Sequence, residues 1–406
     1  MAIETVETLI IGGGQAGLAM SAHLTNLGRP HLIVERDRIA ERWRTQRWDS
    51  LVANGPAWHD RFPIRTFDDT DPDGFAHKDS VVAYFEAVAR QINAPVRCGV
   101  EVRSLTRSAT GFRAETSQGV IEAKNVVAAT GPFQKPIIPD VVPASAGIMQ
   151  LHSADYRNPG QLPAGAVLVV GAGSSGAQIA DELLRAGRRV FLSVGPHDRP
   201  PRRYRGKDFV WWLGVLGLWD AKTQRPGMEH VTIAVSGARG GHTVDFRGLA
   251  AEGMTLLGRT RSCDGGVLHL APDLAQNLNG GDANLRAMLD AADAYVMEKG
   301  LTLPEEPLAR RQLPDPDCVT HPILELDLHR AGITAIIWAT GFALDFGWLK
   351  VDAFDTQGRP AHQRGVSQVP GLYFLGLAWL SRRASPFIWG VWHDAAYLAG
   401  QIAARC

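Results

Sequence analysis

Neither sign of charge prevails in this chain of 406 residues, because 42 Lys and Arg offset 42 Asp and Glu. Without a basic excess, the main electrostatic reason to expect a nucleic-acid partner is missing. Cysteine is scarce. Cys98, Cys263, Cys318 and Cys406 are scattered, and no two are spaced C-x-x-C. That pattern argues against a dithiol relay, a zinc site or a disulfide framework, and it suits a reducing compartment. No apolar run has the length of a membrane span. The longest is Phe209 to Trp219. No basic stretch leading into an apolar core follows Met1, so a secretory leader is not expected and the cytoplasm is the default. At 45% hydrophobic and 21% charged, the chain reads as globular and has room for two or three domains.

What the chain does have is glycine in a particular arrangement. Thr5 to Ile11 ends in three apolar residues, as a buried parallel strand does. It runs straight into Gly12-Gly13-Gly14-Gln15-Ala16-Gly17 and then into a helix-like stretch closed by Gly28. A second apolar strand, His31 to Val34, ends in Glu35, with Arg36 next to it. In a dinucleotide cradle Gly12 permits the tight turn, Gly14 lets the backbone approach a pyrophosphate, and Gly17 lets helix and strand pack closely. Gln15 and Ala16 open the helix whose N-terminus faces the phosphates, and Glu35 accepts hydrogen bonds from a ribose. A tight turn without a ligand is the plainer alternative. Strand before, helix after and acid at the expected offset favour the cradle.

The device then recurs. Ala166 to Val170 leads into Gly171-Ala172-Gly173-Ser174-Ser175-Gly176 and a helix ending near Gly187. The next strand, Arg189 to Val194, carries Ser193 where the first copy carries Glu35. No carboxylate stands there to repel a 2′-phosphate, and Arg199, Arg202 and Arg203 follow. Arginine in this region is how such a site accommodates NADPH. A solvated Pro-Arg loop is the competing interpretation. Two cradles in one chain imply two dinucleotides, and FAD paired with NADPH explains them most economically.

Val126 to Gly131 and Ile336 to Gly341 are both apolar strands ending in Ala-Thr-Gly, so Thr130, Gly131, Thr340 and Gly341 join the candidate cofactor residues. They suggest where the chain enters and leaves an inserted domain. The expected fold is α/β with two Rossmann-like domains: an FAD domain from residues 1–145 and 328–406, and an NADPH domain over 146–327. Pro370 to Gly376 gives a last strand of the FAD domain, and Gly390 to Asp394 opens a C-terminal helix.

These residues together resemble the class B flavoprotein monooxygenases, a group that includes the flavin-containing monooxygenases, the plant YUCCA-type enzymes and bacterial relatives. The resemblance spans nearly the whole chain. It rests on both glycine motifs, both Ala-Thr-Gly turns, and Ser50 to Pro56 followed by Phe62-Pro63. It implies that Asn54 lies beside the reactive edge of the flavin, that Trp43, Arg44, Trp48 and Asp49 stack on or bond to the flavin, and that Gly376 is the final FAD-contacting glycine. The chemistry implied is hydride delivery from NADPH to FAD, reaction with O2 to give a C4a-(hydro)peroxyflavin, and oxygenation of a small substrate at nitrogen, sulfur or a carbonyl. The family's F-x-G-x-x-x-H-x-x-x-[Y/F/W] signature is incomplete. His152 and Tyr156 keep their spacing, but Ala146 and Ile148 stand at the Phe and Gly positions. A linker joining two domains is the favoured role for His152 and Tyr156.

Three other functions compete: an NADPH oxidase, a reductase without C-x-x-C chemistry, and a flavoprotein binding module of low turnover. Asn54 could also serve only the turn before Gly55-Pro56. The aromatic 209–219 segment suits core packing or a homodimer interface better than a substrate tunnel or membrane contact.

Overall fold

A computed structural model describes residues 3–222 and 232–405. Its core is two parallel sheets, each opened by one of the glycine motifs. In the first, strand Ile3–Ile11 is flanked by Gly119–Ala128 on one side and His31–Glu35 on the other. Val96–Cys98 extends the sheet beyond His31–Glu35, and Leu372–Phe374 pairs in parallel with Gly119–Ala128. The central strand becomes fully apolar only in its last residues, Leu9, Ile10 and Ile11, which are buried. There it is covered on both faces, as parallel sheets require. A hairpin, Val102–Ser108 with Gly111–Thr116, leaves this sheet by pairing on Gly119–Ala128.

Helix Gln15–Asn26 packs with the C-terminal helix Ile388–Arg405 over the first sheet. The C-terminal helix therefore starts two residues before the expected Gly390. Gly28, at φ +64, takes the left-handed turn that ends the first helix's run.

The second sheet runs Thr255–Leu257, Val190–Ser193, Ala166–Val170, Ile333–Trp338, Met149–His152, all parallel. This corrects one boundary. Strand Ile333–Trp338 was expected in the first domain, after residue 327, yet it is hydrogen-bonded between Ala166–Val170 and Met149–His152. Five of its six residues are apolar and buried, as a two-sided position in a parallel sheet requires. The chain returns to the first unit after Trp338.

The two crossings meet as a short antiparallel ribbon, Lys135–Pro136 against Phe342–Ala343. Ile137 N–H donates to Gly341 O (3.0 Å) beside it. His152 ties this junction to the second unit, whereas Tyr156 bonds within that unit. His152 Nε2 lies 3.0 Å from Gly341 O, and Nδ1 accepts from Ala154 N–H at 3.1 Å. Tyr156 is fully buried and donates its hydroxyl to Glu182 Oε2 (2.7 Å). The expected joining role is matched by the contact of His152 with Gly341; the hydroxyl bond of Tyr156 stays within the second unit.

The aromatic segment turns inward within the same chain. Trp212 packs with Tyr204, Leu285 and Leu289, whereas Phe209, Leu213 and Trp219 pack with Val235 and Ala384. Core packing accounts for this segment. Among the described residues no helix is long and apolar enough to cross a membrane, and no three potential metal ligands converge.

Candidate active site

Gly12 and Gly17 of the first motif each have a separate steric reason, and Gly14 has none. Gly12 sits at φ +116, and a Cβ there would meet Ala129 O at 2.6 Å. A Cβ on Gly17 would meet Gly12 O at 2.0 Å. Gly14 differs: its φ of −88 is ordinary, and a Cβ would meet nothing within 4 Å. The space in front of Gly14 is a cavity of about 820 Å³.

The second motif repeats this geometry. Gly171 has φ +110 with Ala339 O at 2.5 Å from a Cβ, and on Gly176 a Cβ would meet Gly171 O at 1.8 Å. Ala129 and Ala339 are the residues just before Thr130-Gly131 and Thr340-Gly341, so each Ala-Thr-Gly turn closes on the first glycine of its own cradle. Both helices begin at a glycine without a side-chain cap, Gly14 and Gly173. Their first N–H groups are therefore left for an anion.

The cavity brings together Gly12, Gly14, Gln15, Ala16, Glu35, Arg36, Trp43, Thr130, Gly131 and Gly376. Glu35 also builds the turn, because its carboxylate accepts from Gly13 N–H (2.6 Å) and Asp37 N–H (2.9 Å). Gln15 Nε2 donates to Pro386 O (2.6 Å), tying the cradle to the segment before the C-terminal helix. Three residues expected at the flavin, like Asn54, do not line this cavity. Arg44 pairs with Glu86, Trp48 is buried in the core of the second unit, and Asp49 accepts from Asn158 Nδ2 (2.7 Å). Trp48 and Asp49 tie the start of the segment that leads to Asn54 onto the second unit.

Sequence reasoning missed Arg42, Arg47, Phe133, Gln134 and Trp348, all in the cavity wall. Arg47 lies over the Trp43 and Phe133 rings at 5.6 and 5.5 Å. Burial, with repulsion from Arg42, pushes its guanidinium down to about 10. Arg42 donates to Gln46 Oε1 and Gln134 O, and neither arginine has a carboxylate partner among the described residues. A desolvated cation pair beside an open glycine turn fits the diphosphate of a dinucleotide. The only sequence signal was the run of arginines from 36 to 47, which periodicity does not sort.

Asn54 stands at the seam between the units. Its Oδ1 accepts from Gln178 Nε2 (2.8 Å), on the helix that the second cradle opens, and its backbone O accepts from Arg202 Nη1 (2.6 Å). Gly237 lets the second unit's loop lie against Ala53, since a Cβ there would meet Ala53 O at 2.2 Å.

The three arginines expected at a 2′-phosphate are used otherwise. Arg199 is buried and paired with Asp245 (3.1 Å) and Asp282 (2.7 Å). Arg202 is 2% exposed, paired with Asp208 and held between Phe75 and Phe209. Arg203 is exposed in a separate cleft with Trp58, Lys207 and Trp211. Ser193 itself is buried, its hydroxyl donating to Gly258 O (2.9 Å). The cation that reaches this strand end is Arg259, whose Cγ lies 3.5 Å from where a Gly195 Cβ would stand and whose guanidinium pairs with Asp273.

Residues 9–207 match the family model described as pyridine nucleotide-disulphide oxidoreductase. Over 402 residues, 98% of both chains, this protein is 35% identical to an uncharacterized CzcO-like oxidoreductase of Geobacillus kaustophilus. The chain belongs to the CzcO-like oxidoreductase family. Beyond that family, the chain is similar to flavoprotein monooxygenases over part of its length and in its fold. It is 33% identical over 192 residues to the indole-3-pyruvate monooxygenase YUCCA1 of Oryza sativa subsp. japonica, covering 46% of this chain and 47% of that one. The fold is shared with a flavin-containing monooxygenase from Stenotrophomonas maltophilia, at TM-score 0.68 and 20% identity over 99% of both chains.

Proposed function

We propose that this oxidoreductase is an FAD- and NADPH-dependent monooxygenase that oxygenates a small organic substrate with O2. The observation that carries this is the bridge Asn54–Gln178, which ties the loop expected at the flavin to the helix of the second cradle. An electron donor and a flavin must meet at such a seam. FAD, when bound and reduced by NADPH, supplies the oxygen activation. The chain's own residues do the rest. Gly12, Gly14 and Gly17 shape the turn for the flavin nucleotide, Arg42 and Arg47 offset its diphosphate, and Glu35 and Gly376 complete the cavity. Gly171, Gly173, Ser174, Ser175 and Gly176 hold the nicotinamide dinucleotide. Asn54 is kept at the junction by Gln178 on its side chain and Arg202 on its backbone O, where a fixed amide can hydrogen-bond the reacting centre.

NADPH is favoured over NADH because no carboxylate stands at Ser193 and Arg259 flanks Gly195. The substrate is one that a flavin oxidant attacks, a nitrogen or sulfur nucleophile or a carbonyl. A reductase working through a dithiol lacks its reagent here, since no two cysteines are spaced C-x-x-C.

The test is NADPH oxidation by purified protein with hydrogen peroxide measured alongside, over a panel of amines, thioethers and ketones. A monooxygenase lowers its peroxide yield when its substrate is added. Peroxide equal to NADPH consumed with every compound would leave an oxidase, and no NADPH consumption at all would leave a binding module.

A further inference from the structure

The chain after Asn54 folds back on itself. His59 N–H and Asp60 N–H both donate to Pro56 O, at 2.9 and 3.0 Å. That turn returns the Asp60 carboxylate to the start of the segment, where Oδ2 accepts from Gly55 N–H (2.9 Å). The approach requires glycine, because a Cβ on Gly55 would meet Asp60 Oδ1 at 2.4 Å. The other oxygen of the same carboxylate, Oδ1, lies 2.8 Å from His59 Nδ1. Facing a carboxylate, that nitrogen carries the proton. His59 is buried, its ring stacked on Trp219 at 5.2 Å and 18°. The Asp60 carboxylate is thus held from behind by a packed side chain.

Gly55 N–H belongs to the same peptide group as Asn54 O, and that oxygen accepts from Arg202 Nη1 (2.6 Å) of the second unit. One peptide therefore has a carboxylate on its N–H and a guanidinium on its C=O. Both bonds are charge-assisted, roughly twice as strong as neutral ones, and both Gly55 and Arg202 are buried. Because the peptide is planar, the two bonds together fix its plane, and turning that plane would break both. The Asn54 side chain departs from the Cα that borders this plane, with its Oδ1 on Gln178 Nε2 (2.8 Å). Of these three bonds, two come from the second unit. Asp60 supplies the third from the first unit, which carries the cavity of the first cradle.

We propose that Asp60 is a positioning residue for the oxygenation: its carboxylate clamps the Asn54–Gly55 peptide against Arg202 and so keeps the Asn54 amide aimed at the reacting centre. This rests on the reading of Asn54 under the proposed function. Asp60 acts through the backbone of Gly55, and His59 holds the carboxylate in place. The need for such a clamp is geometric, since a misplacement of about 1 Å can cost roughly 100-fold in rate at a reacting centre.

The experiment uses FAD-loaded protein and compares Asp60→Ala, Asp60→Asn, Asn54→Ala and the double variant of Asn54→Ala with Asp60→Ala. Two readouts are taken: the nuclear magnetic resonance signal of the Asn54 side-chain amide, and hydrogen peroxide formed from NADPH and O2 with no substrate added. In Asp60→Ala the Asn54 amide signal should shift and broaden. Its peroxide formation should rise about 3- to 10-fold, less than the loss of a whole charge-assisted bond because Asp60 acts indirectly. Asp60→Asn, which keeps an oxygen for Gly55 N–H, should fall between Asp60→Ala and wild type on both readouts. The double variant should form peroxide no faster than Asn54→Ala, since a residue that acts through Asn54 then has nothing left to position. Flavin content should match wild type throughout. An unmoved Asn54 signal in Asp60→Ala would overturn the proposal and leave Asp60 a turn-forming residue. So would effects that multiply in the double variant, or loss of flavin from both Asp60 variants. A shifted Asn54 signal in Asp60→Ala with peroxide unchanged in Asn54→Ala would instead sink the reading of Asn54, and the positioning role would fall with it.

Discussion

Gly14 offers the cleanest separation of fold from cofactor binding. Its backbone is extended and suits any residue, and a Cβ would meet nothing within 4 Å. Gly14→Val should therefore leave the apoprotein nearly as stable as wild type. Replacing glycine at a compatible position stabilises by about 0.4–1 kcal/mol through the unfolded chain, while a poor helix N-cap costs a similar amount, so the net change stays within about 1 kcal/mol. The added side chain would, however, occupy the cavity in front of the helix N-terminus. Excluding a phosphate from two backbone N–H groups forfeits about 1.5–3 kcal/mol for each charge-assisted bond. Together that is roughly 10²- to 10⁴-fold in FAD affinity.

Gly17→Ala is the contrast, because its methyl would stand 2.0 Å from Gly12 O and must displace backbone. That variant should lose fold and flavin together. The assays are the ratio of flavin to protein absorbance after purification and thermal melts of the deflavinated proteins. A folded Gly14→Val protein with normal FAD content would refute the cradle assignment. A Gly14→Val apoprotein melting many degrees below wild type would refute the steric argument.

Asn54→Ala should still bind FAD and still be reduced by NADPH. The fraction of NADPH electrons lost as peroxide should rise roughly tenfold, the effect of removing one buried hydrogen bond worth about 1–3 kcal/mol. An unchanged peroxide yield would reject a role at the reacting centre. Arg202→Met strands the buried Asp208 carboxylate and should cost about 3–5 kcal/mol of stability, read as a lower urea midpoint. A midpoint equal to that of wild type would contradict the pairing. Arg259→Ala, in contrast, should lower the kcat/KM preference for NADPH over NADH about tenfold with no such loss of stability, and an unaltered preference would remove Arg259 from the coenzyme site. His31, His152, His197 and His362 are each held below the ordinary histidine value of 6.5, first of all by burial. With the folded value depressed, stability is full above about pH 6.5 and declines as pH falls toward the folded values. A urea midpoint that does not move between pH 8 and pH 5 would contradict this.

Both cradles were legible because their signals are local. A glycine turn, the strand before it and the helix after it lie within about thirty residues. The Ala-Thr-Gly turns were legible as small residues, but their carbonyl contacts with Gly12 and Gly171 needed the sheets to be assembled. Strand Ile333–Trp338 was recognised as a strand and placed in the wrong sheet, because an apolar run specifies burial on both faces and says nothing about which neighbours provide it. Arg199 and Arg202 were assigned by distance along the chain from Ser193. Their partners, Asp245, Asp282 and Asp208, include residues far off in sequence, and a buried carboxylate decides an arginine's use before a ligand arrives. Arg42 and Arg47 were passed over for the converse reason, since no pattern marks an arginine by its lack of a partner.

The ribbon of Lys135–Pro136 and Phe342–Ala343 begins on each side only a few residues beyond the alanine that closes a glycine turn. The junction of the two units and the backs of their nucleotide cradles thus share the same two short crossings. Tension along either crossing pulls on Ala129 or Ala339, and through them on the turn that a diphosphate would grip. Occupancy of one cradle should therefore slow amide exchange at the ribbon and at the turn of the empty cradle, with no ligand touching either. Coupled openings of this kind are how local stability links distant sites.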